Sequence, residues 1–372
     1  MTVLPAPSHG LRSPLFASGA LAFFLLGMLP ALFGVALPVW SGAFGLAEGQ
    51  GGTLVALYNA GAAIAVLAGV AGVPGLSMRP ASALVALGAA GLALGAAWGL
   101  LLACALVAGL GFGVLAVAIN RRFLAEFGPR GPGMVALVNG IFGLGAILAP
   151  LLFLAVGSRP GPVLWITAVL AAVAMALSRP EPFRGASPGL PPLSPRLSII
   201  LLNFAAVVIE ASLIGLGASA LVDLGAPEAQ AARLVSAFFA TFVAARLGLA
   251  FVTHRLAPDL IFLLGLAGTT ACLLVAAFVS PAWGLVPSGA FIGICFPAFF
   301  VWSSRLLGPD PRFGAAILAA GLTGGTLGPL ALRPILGAVG VESLFWILSV
   351  FGALLTVAVA ALLPRLRRLP PP

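Results

Sequence analysis

The chain has 372 residues, of which 61% are hydrophobic and only 7% charged, with a mean hydropathy of +1.19. A soluble globular protein carries about 25% charged residues, so this chain lacks the polar surface to coat itself in water, and lipid must solvate most of it. Its net charge of +9 comes from arginine with no lysine anywhere, which excludes a Walker-type phosphate lysine and a lysine Schiff base.

Arg12 precedes an apolar run from Phe16 to Trp40. That run exceeds the ~7–15 apolar residues of a signal peptide, and it reads as a first membrane helix that is retained. Five further apolar spans follow at 53–73, 81–97, 100–119, 133–156 and 162–178. The stretch 81–119 has no charge. As one helix it would be roughly 58 Å long against a hydrocarbon core of ~30 Å, so a turn is expected at Trp98-Gly99. A proline-rich, charged linker covers 179–196, and six more spans follow at 197–222, 231–253, 260–279, 284–304, 313–333 and 343–363.

The expected fold is therefore an all-α membrane protein with twelve transmembrane helices in two six-helix bundles, 16–178 and 197–363. The segments 1–15, 179–196 and 364–372 are expected to be cytoplasmic. The arginines set this orientation. Arg12, Arg79, the 121–130 cluster, the linker arginines, Arg255, Arg305, Arg312 and the three of the tail fall on one side. Arg159, Arg233 and Arg333 fall toward the other, and Arg246 lies within a span. The positive-inside rule then places both termini in the cytoplasm of a multi-pass inner-membrane protein. Arginines dispersed between apolar spans form no single patch, so nucleic acid is not an expected partner.

Cys104, Cys272 and Cys295 each stand alone in an apolar run, and His9 and His254, the two histidines, fall in loops. No metal spacing or disulfide framework follows, and no cofactor is expected. A shift of about 180 residues brings Gly109 and Gly113 onto Gly289 and Gly293, and nearly matches Gly145 and Pro150 with Gly324 and Pro329. Two parallel repeats around a midplane site are one plan for a transporter.

Several motifs stand in a telling order. The fourth span reads GLGFGVLAVAIN (Gly109–Asn120), the fifth NGIFGLGAILAP (Asn139–Pro150), the tenth GAFIGICFP (Gly289–Pro297) and the eleventh GLTGGTLGPL (Gly321–Leu330). Together with Glu210 in the seventh span, these resemble the major facilitator superfamily, in particular its fucose-permease-like branch. The resemblance implies the two-bundle fold and solute transport by alternating access. The acidic groups that sugar–proton symporters of this branch carry on helices one and four are absent here.

Glu210 is the only carboxylate well inside a span, roughly 18 Å into a ~30 Å core. An intramembrane acid is a functional candidate by default; Glu210 is expected to exchange a proton or to meet a polar solute, with a neutral acid that only hydrogen-bonds a neighbouring helix as the alternative. Asn203 lies seven residues earlier, on nearly the same helical face. It either extends a polar stripe along a cavity or bonds a neighbouring helix. Tyr58, the one tyrosine, and Asn59 suit a site wall, with an interfacial anchor as the competing role for Tyr58. Arg246, about 10 Å from the inner end of the eighth span, is assigned to gating through helix carbonyls. Asn120 and Asn139 are assigned to gate and backbone contacts, and Arg333, beside Pro334, to snorkelling outward.

The function expected is secondary transport of a small organic solute by a monomer in the bilayer, either passive or ion-coupled, with Glu210 as the candidate proton carrier. Multidrug or metabolite efflux is the alternative, because 25 phenylalanines and few fixed polar groups suit a greasy cavity. A lipid-modifying membrane enzyme is the remote one, since no cluster of acid–base, nucleophilic or metal-binding residues gathers at one interface.

Overall fold

A computed structural model of the chain describes residues 13–47, 50–70, 73, 76–127, 131–178, 195–249, 256–308 and 311–368. These form twelve α-helices and, among the described residues, no strand. The first six are α1 (Pro14–Phe44), α2 (Gly52–Val70), α3 (Met78–Leu94), α4 (Trp98–Glu126), α5 (Gly131–Ala155) and α6 (Pro160–Leu177). After a 3-10 turn at Pro195–Ile199 come α7 (Ile200–Asp223), α8 (Glu228–Gly248), α9 (Pro258–Phe278), α10 (Pro281–Leu307), α11 (Pro311–Val339) and α12 (Leu344–Leu366). Ten helices are long and apolar enough to cross a membrane; α3 and the Gly140–Ala155 part of α5 are shorter apolar helices. The 17 residues of α3 rise about 26 Å, close to the hydrocarbon thickness.

Local chemistry sets the helix ends. Ser13 caps α1, its hydroxyl accepting from the Phe16 N–H at 3.2 Å, and Pro14 takes the first helical position, where a missing N–H costs nothing. Gly45 closes the helix at φ 60, a left-handed conformation that glycine adopts without penalty. The turn between α3 and α4 falls earlier than expected. Gly95 ends α3 at φ 59 and Ala97 is extended, so Trp98 already belongs to α4. Glycine's access to the left-handed region outweighs the bulk of the Trp-Gly pair as a chain reverser. At its other end α4 runs beyond residue 119, where Arg122 and Glu126 pair one turn apart at 2.6 Å. The expected linker 179–196 lies outside the described residues up to 194.

One packing scheme appears twice. Among the first six helices, α1 packs on α5 and α6, α2 on α4, and α3 on α4 and α6. Among the last six, α7 packs on α11 and α12, α8 on α10, and α9 on α10 and α12. The repeat extends to single contacts between a glycine and a carbonyl. A Cβ on Gly109 would overlap the carbonyl of Tyr58, and one on Gly289 that of Phe238. Gly113 lies on Ala62 as Gly293 lies on Phe242, and Gly145 on Phe24 as Gly324 on Phe204. The matching residues stand about 180 positions apart. Where Gly61 approaches the carbonyl of Leu106, the counterpart Thr241 donates from Oγ1 to the carbonyl of Val286 at 2.6 Å.

These glycines let helix backbones touch, which matters because lipid supplies no hydrophobic drive between apolar helices. Gly109→Ala forces α2 and α4 apart and is expected to lower stability by about 1–3 kcal/mol. Gly42→Ala, where a Cβ meets nothing within 4 Å, is expected to be neutral or to stabilise. Melting of both variants in detergent checks this, and equal melting temperatures would contradict it.

Candidate functional site

The two sets of six are joined chiefly by α1 with α7, α2 with α11 and α5 with α8, with smaller contacts of α1 on α8 and α2 on α7. Toward the arginine-poor end the join is tight. Gly34 of α1 lies against the carbonyl of Ile214 on α7, and Gly52 of α2 against Pro329 of α11. Among the described residues, no substantial packing carries α4 or α10 across to the other set of helices. Further along, Gly143 of α5 lies against the Val243 side chain of α8, one turn from Arg246.

Two side-chain hydrogen bonds tie the halves where they meet. Asn59 on α2 donates from Nδ2 to the Gly325 carbonyl of α11 at 3.1 Å, and also to Val55 of its own helix. Ser236 on α8 donates from Oγ to the Ile147 carbonyl of α5 at 3.0 Å. Within a helical turn, the second bond is the counterpart of the first under the internal repeat. Asn59 thus sits on the seam between the halves.

The charged centre belongs to the second half alone. Glu210 lies near the middle of α7, and its Oε1 is 3.8 Å from a terminal nitrogen of Arg246. Arg246 lies on α8, in the turn before Gly248. Its side chain turns back toward mid-helix, where Nε donates to the Gly293 carbonyl of α10 at 2.8 Å. The guanidinium carbon lies 4.1 Å from the ring centroid of Phe242, a cation–π contact that fixes its plane. Both charged side chains keep some exposure, 30% for Arg246 and 17% for Glu210. The thiol of Cys295 on α10 is close enough to interact with both electrostatically.

Under the repeat, the positions matching Glu210 and Arg246 are Pro30 on α1 and Val66 on α2. Hence the first half has no counterpart of this pair.

The other candidates separate from this centre. Asn203 is fully buried, 0% exposed, and donates from Nδ2 to the Ile317 carbonyl of α11 at 3.1 Å. In this conformation it joins two helices of one half. Its Oδ1 has no partner. Tyr58 is 2% exposed and packs edge-on against Phe33 and Phe112, with centroids 5.2 and 5.4 Å away. Its hydroxyl is buried without a partner, so it lies inside the first half and lines no open space. Arg333 is exposed on α11 between Pro329 and Pro334. Asn120 and Asn139 fall on α4 and α5, and their side chains lie outside the described residues. Among the described residues no group of three or more His, Cys, Asp or Glu comes together to hold a metal.

Sequence reasoning treated Glu210 and Arg246 separately and did not pair them. The available signal was charge balance, because a lone acid and a lone base within neighbouring spans each need a partner in low dielectric. Ser236 and Thr241 carried no comparable signal, since hydroxyls are common in membrane helices.

The backbone is similar to several solved structures. It matches the nucleoside transporter NupG with a TM-score of 0.71 and 15% identity, covering 96% of this chain and 99% of that one. It matches FucP, a major facilitator superfamily transporter in the outward conformation, with a TM-score of 0.61 and 20% identity, covering 93% and 98%. A D-xylose-proton symporter gives a TM-score of 0.69 at 14% identity, covering 93% and 96%. No protein-family model matches the sequence, and no curated protein matches it. At such identities the shared property is the path of the backbone, and the chain has the major facilitator fold.

The ion pair makes a measurable claim on stability. Arg246→Ala removes the bond to Gly293 and the stacking on Phe242 as well as the charge, so it is expected to lower the melting temperature more than Glu210→Gln. A double-mutant cycle between the two is expected to return a coupling of about 1–2 kcal/mol. A coupling near zero in detergent-purified protein would show that the two side chains do not act together.

Proposed function

We propose that the protein is a secondary transporter that moves a small organic solute across a bacterial inner membrane by alternating access, with a proton carried on Glu210. The arginine-rich end faces the cytoplasm, as the positive-inside rule requires, and both termini lie there. The solute enters the space between the halves, which rock about their shared seam. The close α1–α7 and α2–α11 contacts at the arginine-poor end support a state closed on the side away from the cytoplasm. Solved structures of the same fold are described as a nucleoside transporter, a fucose:proton symporter from E. coli and a D-xylose-proton symporter. These descriptions support solute transport here without naming the solute.

The Glu210–Arg246 pair carries the proposal. Charged side chains inside a membrane span are costly, and they persist where they face a bundle interior or an aqueous cavity and pair there. This pair is partly exposed, and Glu210 lies near the middle of α7. Glu210 can exist as a carboxylate paired with Arg246 or as a neutral acid holding a proton, and exchange between the two provides a coupling step. Asn59 and Ser236 lie on the seam that both halves share, where a rocking motion displaces residues least. Direction of net flux then follows the solute and proton gradients, as for any secondary transporter.

Thermal-shift screening of purified protein against metabolite and drug panels identifies the solute, because ligand binding to the folded state raises its apparent stability. In proteoliposomes loaded with that solute, Glu210→Gln is expected to abolish flux driven by a pH gradient while sparing solute exchange at equilibrium. Undiminished pH-driven flux in the variant would exclude Glu210 as the proton carrier. Absence of any flux by the wild-type protein would overturn transport itself.

A further inference from the structure

Resting on the transport reading above, we infer that the solute is a small organic carboxylate, bound by Arg246 and accompanied by one proton on Glu210. The first argument is geometric. A guanidinium has five N–H donors in a planar fork. Only Nε of Arg246 makes a hydrogen bond among the described residues, to the Gly293 carbonyl at 2.8 Å. One terminal nitrogen is 3.8 Å from Glu210, too far for a hydrogen bond. The terminal nitrogens therefore keep their donors, on a plane fixed by Phe242 and on a side chain 30% exposed. A carboxylate is the planar group that such a fork binds with two parallel bonds.

The second argument is charge balance. To cross between open states, the site must pass through a closed one in which water is excluded, and an uncompensated charge there is very costly. Empty, the site holds one positive and one negative charge and is neutral. A carboxylate that takes over Arg246 leaves a net negative charge unless Glu210 gains a proton. With that proton on a Glu210 oxygen, the loaded site is neutral again. Anion and proton then move together, and the translocation transfers no net charge. A neutral solute needs no proton. A cation leaves an excess positive charge that nothing relieves, since arginine does not deprotonate in proteins.

Among the described residues, no charged side chain other than these two acts on the pair. α10 contributes Cys295 beside the pair, and its Arg305 sits in the last turn of that helix. α1 and α2 contain no charged residue, Arg333 of α11 lies well toward the arginine-poor end, and Arg365 of α12 lies in the last turn. On α8 itself, Glu228 and Arg233 sit in the first two turns, remote from Arg246. α1 and α5, the first-half helices that pack on α8, carry no charged residue, so a carboxylate with an apolar body suits the site better than acetate.

The test is binding to purified full-length protein, followed by thermal shift between pH 5.5 and 8. The probes are benzoate, hexanoate and acetate at millimolar concentration, with the matching amides and amines. Benzoate and hexanoate are expected to raise the melting temperature by ~3–5 °C at saturation, and the amides and amines to leave it unchanged. Coupled uptake of one proton makes apparent affinity fall by up to about tenfold per pH unit as pH rises. In Glu210→Gln, which resembles the proton-loaded acid, carboxylate binding is expected to persist with less than about twofold change across the range. In Arg246→Gln, binding is lost while the protein still melts cooperatively.

Equal stabilisation by amides or amines, carboxylate binding that survives Arg246→Gln, or no shift with any carboxylate would each overturn the inference. Those results leave solute transport standing if another solute crosses proteoliposomes. Arg246-dependent carboxylate binding without any flux would instead retain the site and remove the transport reading.

Discussion

Contact between a glycine and a carbonyl of the neighbouring helix is the interaction on which the rest of the structure depends. In lipid every backbone group must be satisfied within its own helix, so helices form readily, but nothing hydrophobic then drives them together. Close backbone approach supplies the missing attraction through dispersion contacts. Gly109 on Tyr58, Gly145 on Phe24 and their counterparts Gly289 on Phe238 and Gly324 on Phe204 set the rotation and crossing of the helices that carry them. Those rotations decide which side chains face an interior, which face lipid and which meet the other half.

Two nearly equivalent halves need not be chemically equivalent. The scaffold repeats down to individual carbonyl contacts, yet the charged centre occurs only in the second half, at Glu210 and Arg246. In the first half the matching positions are Pro30 and Val66, which contribute shape and no charge. The paired charges thus lie in one half, and the matching positions of the other are apolar. The seam joins them through Asn59 to Gly325 and Ser236 to Ile147, two short bonds that leave α4 and α10 uncommitted across the interface.

The arrangement also shows how a few polar groups are kept in a hydrophobic solvent. Asn203 gives its amide to the Ile317 carbonyl, Thr241 its hydroxyl to Val286, and Arg246 its Nε to Gly293. Asn203 and Thr241 each take a second bond from a carbonyl already used by its own helix, whereas the Gly293 carbonyl is left free by Pro297, which has no N–H four residues on. Carbonyl oxygens have two lone pairs, so helices can be cross-linked without breaking their own ladders. Arg367, just past the end of α12, pairs with Asp259 at the start of α9 at 2.5 Å, fixing the ends of two helices that also pack on each other.

The sequence by itself determined the apolar spans, their number, the glycines that match across the repeat and the one acid among them. Each follows from composition within a single stretch of chain, because hydropathy and helix length are local properties. It misplaced the turn at Gly95, where one left-handed residue decided the matter. Tertiary structure decided that Glu210 meets Arg246, that Asn203 serves the α7–α11 contact and that Tyr58 is enclosed by Phe33 and Phe112. Helical periodicity fixes which residues share a face, but the neighbour of that face depends on how each helix is rotated and crossed. Those angles come from contacts between residues far apart in the chain, and no local pattern records them.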